Sequence, residues 1–369
     1  MGCLSSVAGR SGTRVPGAVH EPPRTVISRR APGNSLDLSR RPPRPGPGGP
    51  VRAGSLGTHL AVPGARWLPA VTQEKAGSRV TLKTLIEEAA ATLSRGGDAD
   101  AQHDAERLAA RVLGVDVAAL PFDTVPGDRA VWKFRKLVAR RADGVPLGHL
   151  TGTAVFCGLE LAVGPGVFVP RVHSEAVLER GLHAVAEVTA PVVADLCAGS
   201  GALALAAAHR RPDARVHAVE FDPIAAGFAR RNSARRAELG DTPVTVHEQD
   251  LTRPGVLDEL TGRVDLVLAN PPFMPEESRD LPAEFSRHQP RQAIYAGPDG
   301  LRLVRATLQV AVGLLRPGGT LVVEHGHLHG ETVPELLSGS GFEEISGHPD
   351  HDGWPLFSAA RKPAAAPPD

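Results

Sequence analysis

Apolar residues recur at helical spacing from about residue 78 to 150. Leu82, Leu85, Ile86, Ala89, Ala90 and Leu93 share one helix face. Ala105, Leu108, Ala109 and Val112 share a second, with Gly114 placed as its C-terminal cap. Val131, Phe134, Leu137 and Val138 mark a third. The rhythm then changes. VFCGLELAVGPGVFVP (155–170) alternates apolar positions around Gly164-Pro165-Gly166, which predicts a hairpin turning at those residues. From about 188, strands and helices alternate. The strands are PVVADL (191–196), RVHAVE (215–220), VTVHEQ (244–249), VDLVLA (264–269) and TLVVE (320–324). The helices between them are ALALAAAHRR (202–211), a segment ending near Arg236, and Leu301 to Leu315. This alternation predicts an α/β fold, a parallel sheet covered by helices on both faces, with ligands beyond the carboxyl ends of the strands. The organisation expected is therefore a small helical domain over 78–150, a β-hairpin linker over 151–187 and an α/β domain over 188–362.

Residues 1–77 carry no such periodicity. Pro, Gly, Arg and Ser dominate, as in RRPPRPGPGGP (40–50), and the stretch is expected to be disordered, as is the tail at 363–369. MGCLSS fits a myristoylation pattern, the Arg-rich and acid-poor composition resembles a transit peptide, and a basic tail can touch nucleic acid. The prolines oppose the amphipathic helix of a transit peptide, and the expectation is an extension without function or a start assigned too far upstream. Its charge matters for the rest of the chain. Residues 1–70 hold ten Arg, no Lys, and the acids Glu21 and Asp37, a balance of +8. The whole chain is neutral, so the remainder carries −8. A body of that sign is poorly suited to stable nucleic-acid binding, where basic groups must replace counterions. No apolar run reaches the roughly 20 residues that span a bilayer. Cys3, Cys157 and Cys197 are scattered, which fits a reducing cytoplasm rather than a disulfide framework or a zinc site.

Three strand ends carry the chemistry. Asp195-Leu196-Cys197-Ala198-Gly199-Ser200-Gly201 is a strand running into a small-residue loop that opens a helix. Glycines there let a ligand lie against the backbone, but the loop alone also fits a weak dinucleotide fingerprint or a tight packing turn. Glu220 ends the next strand, where an acid can accept both ribose hydroxyls of a nucleoside. Asp250 follows the third, where it can meet an adenine amino group. Jointly, these positions point to a nucleoside ligand. At the fourth strand end stands Asn270-Pro271-Pro272-Phe273. The Asn oxygen can accept a hydrogen bond from a planar NH₂. Pro271 lacks an N–H and Pro272 biases its predecessor to an extended backbone, which leaves the Pro271 carbonyl open to a second N–H. Phe273 offers a flat face for stacking. An amide nitrogen is a weak nucleophile because its lone pair is delocalised, so two acceptors that grip its protons address both reactivity and aim. Two distractions are set aside. The histidines of Glu324-His-Gly-His-Leu-His329 lack a second ligand cluster, so no metal is expected, and Cys197 reads as a small loop residue rather than a nucleophile.

Residues about 78 to 362 resemble the release-factor glutamine methyltransferases. The likeness rests on ordered segments: VPLGHLTGTAVFCGLEL (145–161), GVFVPRVHSE (166–175), DLCAGSGALAL (195–205), the acid at Glu220, LANPPF (268–273), HQPRQAIYAGPDGL (288–301) and LRPGGTLVVEHG (315–326). Asn-Pro-Pro-aromatic alone is shared with adenine-N6 methyltransferases; the ordered set is far more specific. The resemblance implies a Rossmann-like, seven-stranded class I methyltransferase domain behind a helical domain and hairpin linker. It implies S-adenosylmethionine as cofactor, contacted by Asp195, Cys197, Ala198, Gly199, Ser200, Gly201, Glu220, Asp250, Leu251 and Asn270. It implies that Asn270, Pro271, Pro272 and Phe273, with Arg171 and Phe156, hold the glutamine of the Gly-Gly-Gln loop of a class I peptide chain release factor. A monomeric cytoplasmic enzyme is expected. The rival acceptors are a ribosomal-protein glutamine and a nucleic-acid adenine N6, and a catalytically dead binding module is the rival outside enzymology. Three departures from the family pattern are visible: the Pro-Arg signature matches at Arg171 and Glu175 but not at its middle, including Val172 and His173; Phe273 replaces the commoner Tyr; and Gln289 replaces an acid.

Overall fold

A computed structural model describes residues 80–97, 100–279 and 281–365. The N-terminal extension with its MGCLSS pattern, and residues 366–369 of the tail, lie outside the described residues.

Three helices build the first core. Thr81 caps α1 (Leu82–Arg95) by accepting the Thr84 N–H, and α2 (Ala101–Leu113) ends where left-handed Gly114 returns its N–H to the Ala110 carbonyl at 2.8 Å. The α3 helix (Asp128–Ala142) completes the set. Ile86, Leu93, Leu108 and Phe134 pack together from the faces that the periodicity marked. The short α4 (Leu147–Thr151) leads into β1 (Thr153–Phe156), paired antiparallel with β2 (Leu159–Ala162).

The hairpin turns at Cys157-Gly158, not at Gly164-Pro165-Gly166. Both turn residues have positive φ, 48° and 76°, the two-residue geometry that matches strand twist. Reversing there keeps Phe156, Leu159 and Leu161 buried together. The Gly-Pro-Gly segment instead lies against side chains that follow later, with the Cβ position of Gly166 2.8 Å from Ile224 and that of Gly164 3.1 Å from Phe228. Its glycines permit close approach rather than chain reversal.

After α5 (Glu175–Ala184) the chain alternates β3 (Val192–Leu196), α6 (Ala202–Arg210), β4 (Arg215–Glu220), α7 (Pro223–Glu238), β5 (Thr245–Glu248) and β6 (Val264–Ala269). Then come α8 (Ala283–His288), α9 (Arg302–Leu314), β7 (Leu315–Glu324), α10 (Thr332–Gly339), β8 (Glu343–Pro349) and β9 (Pro355–Arg361). The strands form one sheet in the order β5-β4-β3-β6-β7-β9-β8. Five run parallel, while β9 is antiparallel to both β7 and β8. This is the seven-stranded class I arrangement. The antiparallel pair was invisible to the apolar pattern, because β8 is an edge strand without a fully buried residue. Two cores cover the two faces, one around Val193, Leu205 and Leu266, the other around Leu196, Val267 and Leu308. Strand order reverses at β3, whose neighbours are β4 and β6, and the crevice beyond such a reversal is where α/β sheets take ligands.

Candidate active site

A cavity of about 500 Å³ opens at the carboxyl ends of β3, β4, β5 and β6. Its wall includes Asp195, Cys197 to Ser200, Glu220, Asp250, Leu251, Asn270 to Phe273, Arg171 and Phe156. Gly201 is not part of that wall. It sits at φ 83° as the N-cap of α6, and its Cβ position is 3.4 Å from Ala229 Cβ, so it serves the packing of α6 on α7. Phe156 is buried within the core below the sheet and contributes only an inner wall.

The loop after β3 is shaped by backbone. Cys197 and Gly199 both have positive φ, 66° and 57°, and the Ala198 N–H donates to the Val219 carbonyl at 2.9 Å. No heavy atom lies within 4 Å of where a Gly199 Cβ would be, so the backbone faces open space. The Gly199 N–H donates to Glu220 Oε2 at 2.8 Å, and Asp222 N–H donates to Glu220 Oε1 at 2.9 Å. Glu220 is thereby held at the wall with lone pairs to spare on each oxygen. Burial pushes its carboxyl up, against the pull of those N–H groups. Asp250 behaves differently: Thr252 donates both its N–H and its hydroxyl to Asp250 Oδ1, and this holds the carboxyl below its ordinary range. Cys197 has its thiol pushed far up by burial and by the Glu220 and Asp195 charges, so it offers no nucleophilic thiolate.

Asp195 is fully enclosed. Oδ2 accepts the Ala204 N–H at 3.0 Å, whereas Oδ1 has no hydrogen-bond partner. Burial first, then Glu220, push its carboxyl up to about 7. An unpartnered buried carboxylate oxygen is costly unless a ligand donates to it. An amino-acid ammonium is such a donor, and a nucleoside ribose matches Glu220. The residues present therefore fit S-adenosylmethionine.

Asn270 follows β6 and donates its Nδ2 proton to Ser174 Oγ at 3.1 Å; Ser174 donates to Glu324 Oε2 at 2.6 Å. Neither Asn270 Oδ1 nor the Pro271 carbonyl accepts a hydrogen bond among the described residues. Phe273 is half-buried against the core, its ring 3.2 Å from the Cβ position of Gly326. Arg171 packs over the Phe285 ring at 4.8 Å and pairs with Glu284 at 3.1 Å. Glu284 also reaches Arg141 at 3.5 Å, which ties the wall to the helical part. The histidines of the 324–329 segment are engaged elsewhere, His325 with Ser358 Oγ and His329 with the Asp299 carbonyl. Among the described residues no group of three His, Cys, Asp or Glu is placed to hold a metal, and no helix is long and apolar enough to cross a membrane.

Reading strand ends did not single out Ser174 or Glu324. Glu324 carried the same signal as Glu220, an acid closing a parallel strand. Ser174 had none, since its partner lies 150 residues away. Gln289, noted above as a departure, has its Oε1 accepting the Val169 N–H at 3.2 Å, and its buried Nε2 has no partner.

Two family models match the chain, the PrmC N-terminal domain over residues 84–152 and the Methyltransferase small domain over 153–287. The Mycolicibacterium smegmatis release factor glutamine methyltransferase is 44% identical over 76% of this chain and 98% of its own length. The Mycobacterium tuberculosis enzyme of the same name is 39% identical over 77% and 92%. A 4-amino-L-phenylalanine/4-methylamino-L-phenylalanine methyltransferase of Streptomyces pristinaespiralis is 34% identical over 78% and 98%. The seven-stranded sheet, the enclosed acid beside a glycine loop and the Asn-Pro-Pro-Phe strand end agree with that kinship: the chain is an S-adenosylmethionine-dependent methyltransferase and belongs to the release factor glutamine methyltransferase family.

Proposed function

We infer that this enzyme methylates the side-chain amide nitrogen of the glutamine in the Gly-Gly-Gln loop of class I peptide chain release factors. The observation that carries the reading is the pair of unengaged acceptors, Asn270 Oδ1 and the Pro271 carbonyl, beside the cofactor wall. A primary amide presents two N–H groups in one plane, and two neighbouring acceptors match them. Bound S-adenosylmethionine supplies an electrophilic methyl group on a sulfonium whose thioether product is a good leaving group. The chain's own task is placement: Asn270 and Pro271 hold the amide protons, Phe273 stacks on the amide plane, and one N–H proton is released as the N–C bond forms. Arg171 supports the substrate side, and Phe156, buried in the core, backs the inner wall. Asp195, Cys197 to Ser200, Glu220, Asp250, Leu251 and Asn270 serve the cofactor, while Gly201 packs α6 on α7. Residues 78–150 act as the recognition domain for the release factor, joined by the 151–187 linker to the catalytic domain at 188–362.

On this reading the enzyme is a cytoplasmic monomer, and its −8 body speaks against stable nucleic-acid binding. The relative that acts on an aromatic amine makes acceptor identity the point to test. The protein is incubated with labelled cofactor and release factor, and the labelled peptide is mapped by mass spectrometry. The methyl group is expected on the Gly-Gly-Gln glutamine. Asn270→Ala should lose far more turnover than cofactor affinity. Asn270→Asp should bind cofactor at least comparably and turn over more slowly, because added negative charge favours the sulfonium ground state over a transition state losing that charge. Full activity in Asn270→Ala, or label on adenine or on an aromatic amine instead, overturns the reading.

A further inference from the structure

We propose that Ser174 and Glu324 are positioning residues that fix which end of the Asn270 amide faces the acceptor; this rests on the amide-methylating reading above. The two ends of an asparagine amide are nearly the same shape. Presented the wrong way round, Asn270 would aim N–H donors at an NH₂ group and bind nothing. The strand end alone does not choose, since no backbone group engages Asn270 Oδ1.

The choice is made by counting protons. A carboxylate accepts and cannot donate, and a serine hydroxyl carries one proton. Ser174 Oγ lies 2.6 Å from Glu324 Oε2 and 3.1 Å from Asn270 Nδ2. With Glu324 ionised, the Ser174 proton belongs to Glu324. Ser174 can then offer Asn270 only a lone pair, so Nδ2 must turn to Ser174 and Oδ1 to the cavity. Ser174 and Glu324 are both buried at the cavity wall, where the low local dielectric strengthens the bond between them.

The device needs Glu324 as the anion. A protonated Glu324 can donate to Ser174, which frees the serine proton for Asn270 Oδ1 and removes the preference. Burial pushes the Glu324 carboxyl up to about 7, opposed by the Ser174 hydroxyl and by the Arg171 charge. Several titratable groups nearby are engaged elsewhere, while Asp195, across the same cavity, is also pushed up to about 7. Glu175 of α5 accepts the Cys157 N–H, His173 stacks on His351, and His325 bonds Ser358 of β9. Because the carboxyl takes its proton below about 7, turnover should fall as the pH drops through that value.

The test uses the full-length enzyme with a release factor, in three variants. Ser174→Ala removes the hydroxyl and should lower kcat about tenfold, the scale of one hydrogen bond, with KM and calorimetric cofactor affinity within twofold of the unmutated enzyme. Ser174→Thr keeps the hydroxyl and should restore kcat. Glu324→Gln can itself donate, and should lower kcat and remove the Glu324 share of the pH dependence near 7, a share that Asp195→Asn should leave in place. A readout independent of turnover is the side-chain NH₂ of Asn270, identified by its loss in Asn270→Asp. Its proton exchange should be slow in the unmutated protein and in Ser174→Thr, and fast in Ser174→Ala. Unchanged kcat and unchanged exchange in Ser174→Ala overturn the proposal, as does a threonine that fails to rescue. If the unmutated enzyme does not methylate the glutamine at all, the functional reading fails; slow Asn270 exchange that Ser174→Ala releases would still show the orienting contact.

Discussion

Adding one methyl group at Gly300 should disable the acceptor site from outside it. Gly300 has φ 74°, and an ideal Cβ there would stand 2.3 Å from the Phe273 carbonyl oxygen, 2.9 Å from Phe273 C and 2.9 Å from Pro275 N. All three are backbone atoms, so no rotamer change relieves the contact. Reaching ordinary contact at 3.4 Å requires a displacement of 3.4 − 2.3 = 1.1 Å. The segment that must yield is pinned to the same strand of chain: Met274 N–H donates to the Ile294 carbonyl at 2.9 Å, Ala296 N–H to Met274 at 3.0 Å and Glu276 N–H to Gly297 at 3.0 Å. Giving up one or two of these costs about 1 kcal/mol each, and a left-handed alanine adds about 1–2 kcal/mol. The expected destabilisation of Gly300→Ala is thus about 2–4 kcal/mol. Whatever is relieved by moving the loop shifts Asn270 to Phe273, and a misplacement of about 1 Å costs on the order of 10²-fold in rate. Gly297→Ala is the internal control. It has φ 86°, but its Cβ would meet nothing closer than Arg302 Cβ at 3.6 Å, so it carries the backbone penalty without the collision. Melting temperature and single-turnover methylation of a release factor measure both quantities. If Gly300→Ala and Gly297→Ala are equally stable and equally active, the close approach is not what holds the acceptor loop.

Further outcomes follow from the cofactor wall and the chain ends. Asp195 takes its proton more readily folded than unfolded, so between the ordinary 3.8 and about 7 its contribution to stability falls as pH rises, and it stays unfavourable above that window. Asp195→Asn should therefore stabilise the cofactor-free protein at pH 8 by about 1–4 kcal/mol, seen as a higher melting temperature, while weakening calorimetric cofactor affinity; a variant no more stable at pH 8 than the unmutated protein refutes this. Glu220→Ala should weaken cofactor binding by about 1–3 kcal/mol, and an unchanged affinity in a folded variant removes Glu220 from the ribose site. A chain beginning near Gly77 should retain melting temperature and methyl transfer, because residues 1–77 lack the apolar content to build a core; loss of either would make them part of the working enzyme.

Much of the fold and most of the candidate site stand in the sequence because their causes are local. A helix face needs apolar residues three and four apart, so Leu82 to Leu93 and Val131 to Val138 announced their helices. Buried parallel strands need continuous apolar runs, and a strand end in such a sheet faces the ligand crevice by construction, which is why Glu220, Asp250 and Asn270 could be placed on one cavity without coordinates. The rest depended on contacts between residues far apart in the chain. The hairpin turns at Cys157-Gly158 because Phe156 and Leu161 must be buried together, and Gly164 and Gly166 are glycines because Phe228 and Ile224 press on them. The antiparallel β8 and β9 add to the β7 edge; β8 is the exposed outer strand and needs no apolar pattern, and the short buried run of β9 is placed only by its pairing with β7. The unpartnered Asp195 oxygen and the Ser174 contacts to Asn270 and Glu324 exist only once β3, β6, β7 and the loop before α5 converge. Hydrogen-bond direction there depends on which donor meets which acceptor in space, and residue spacing along a chain carries no record of that.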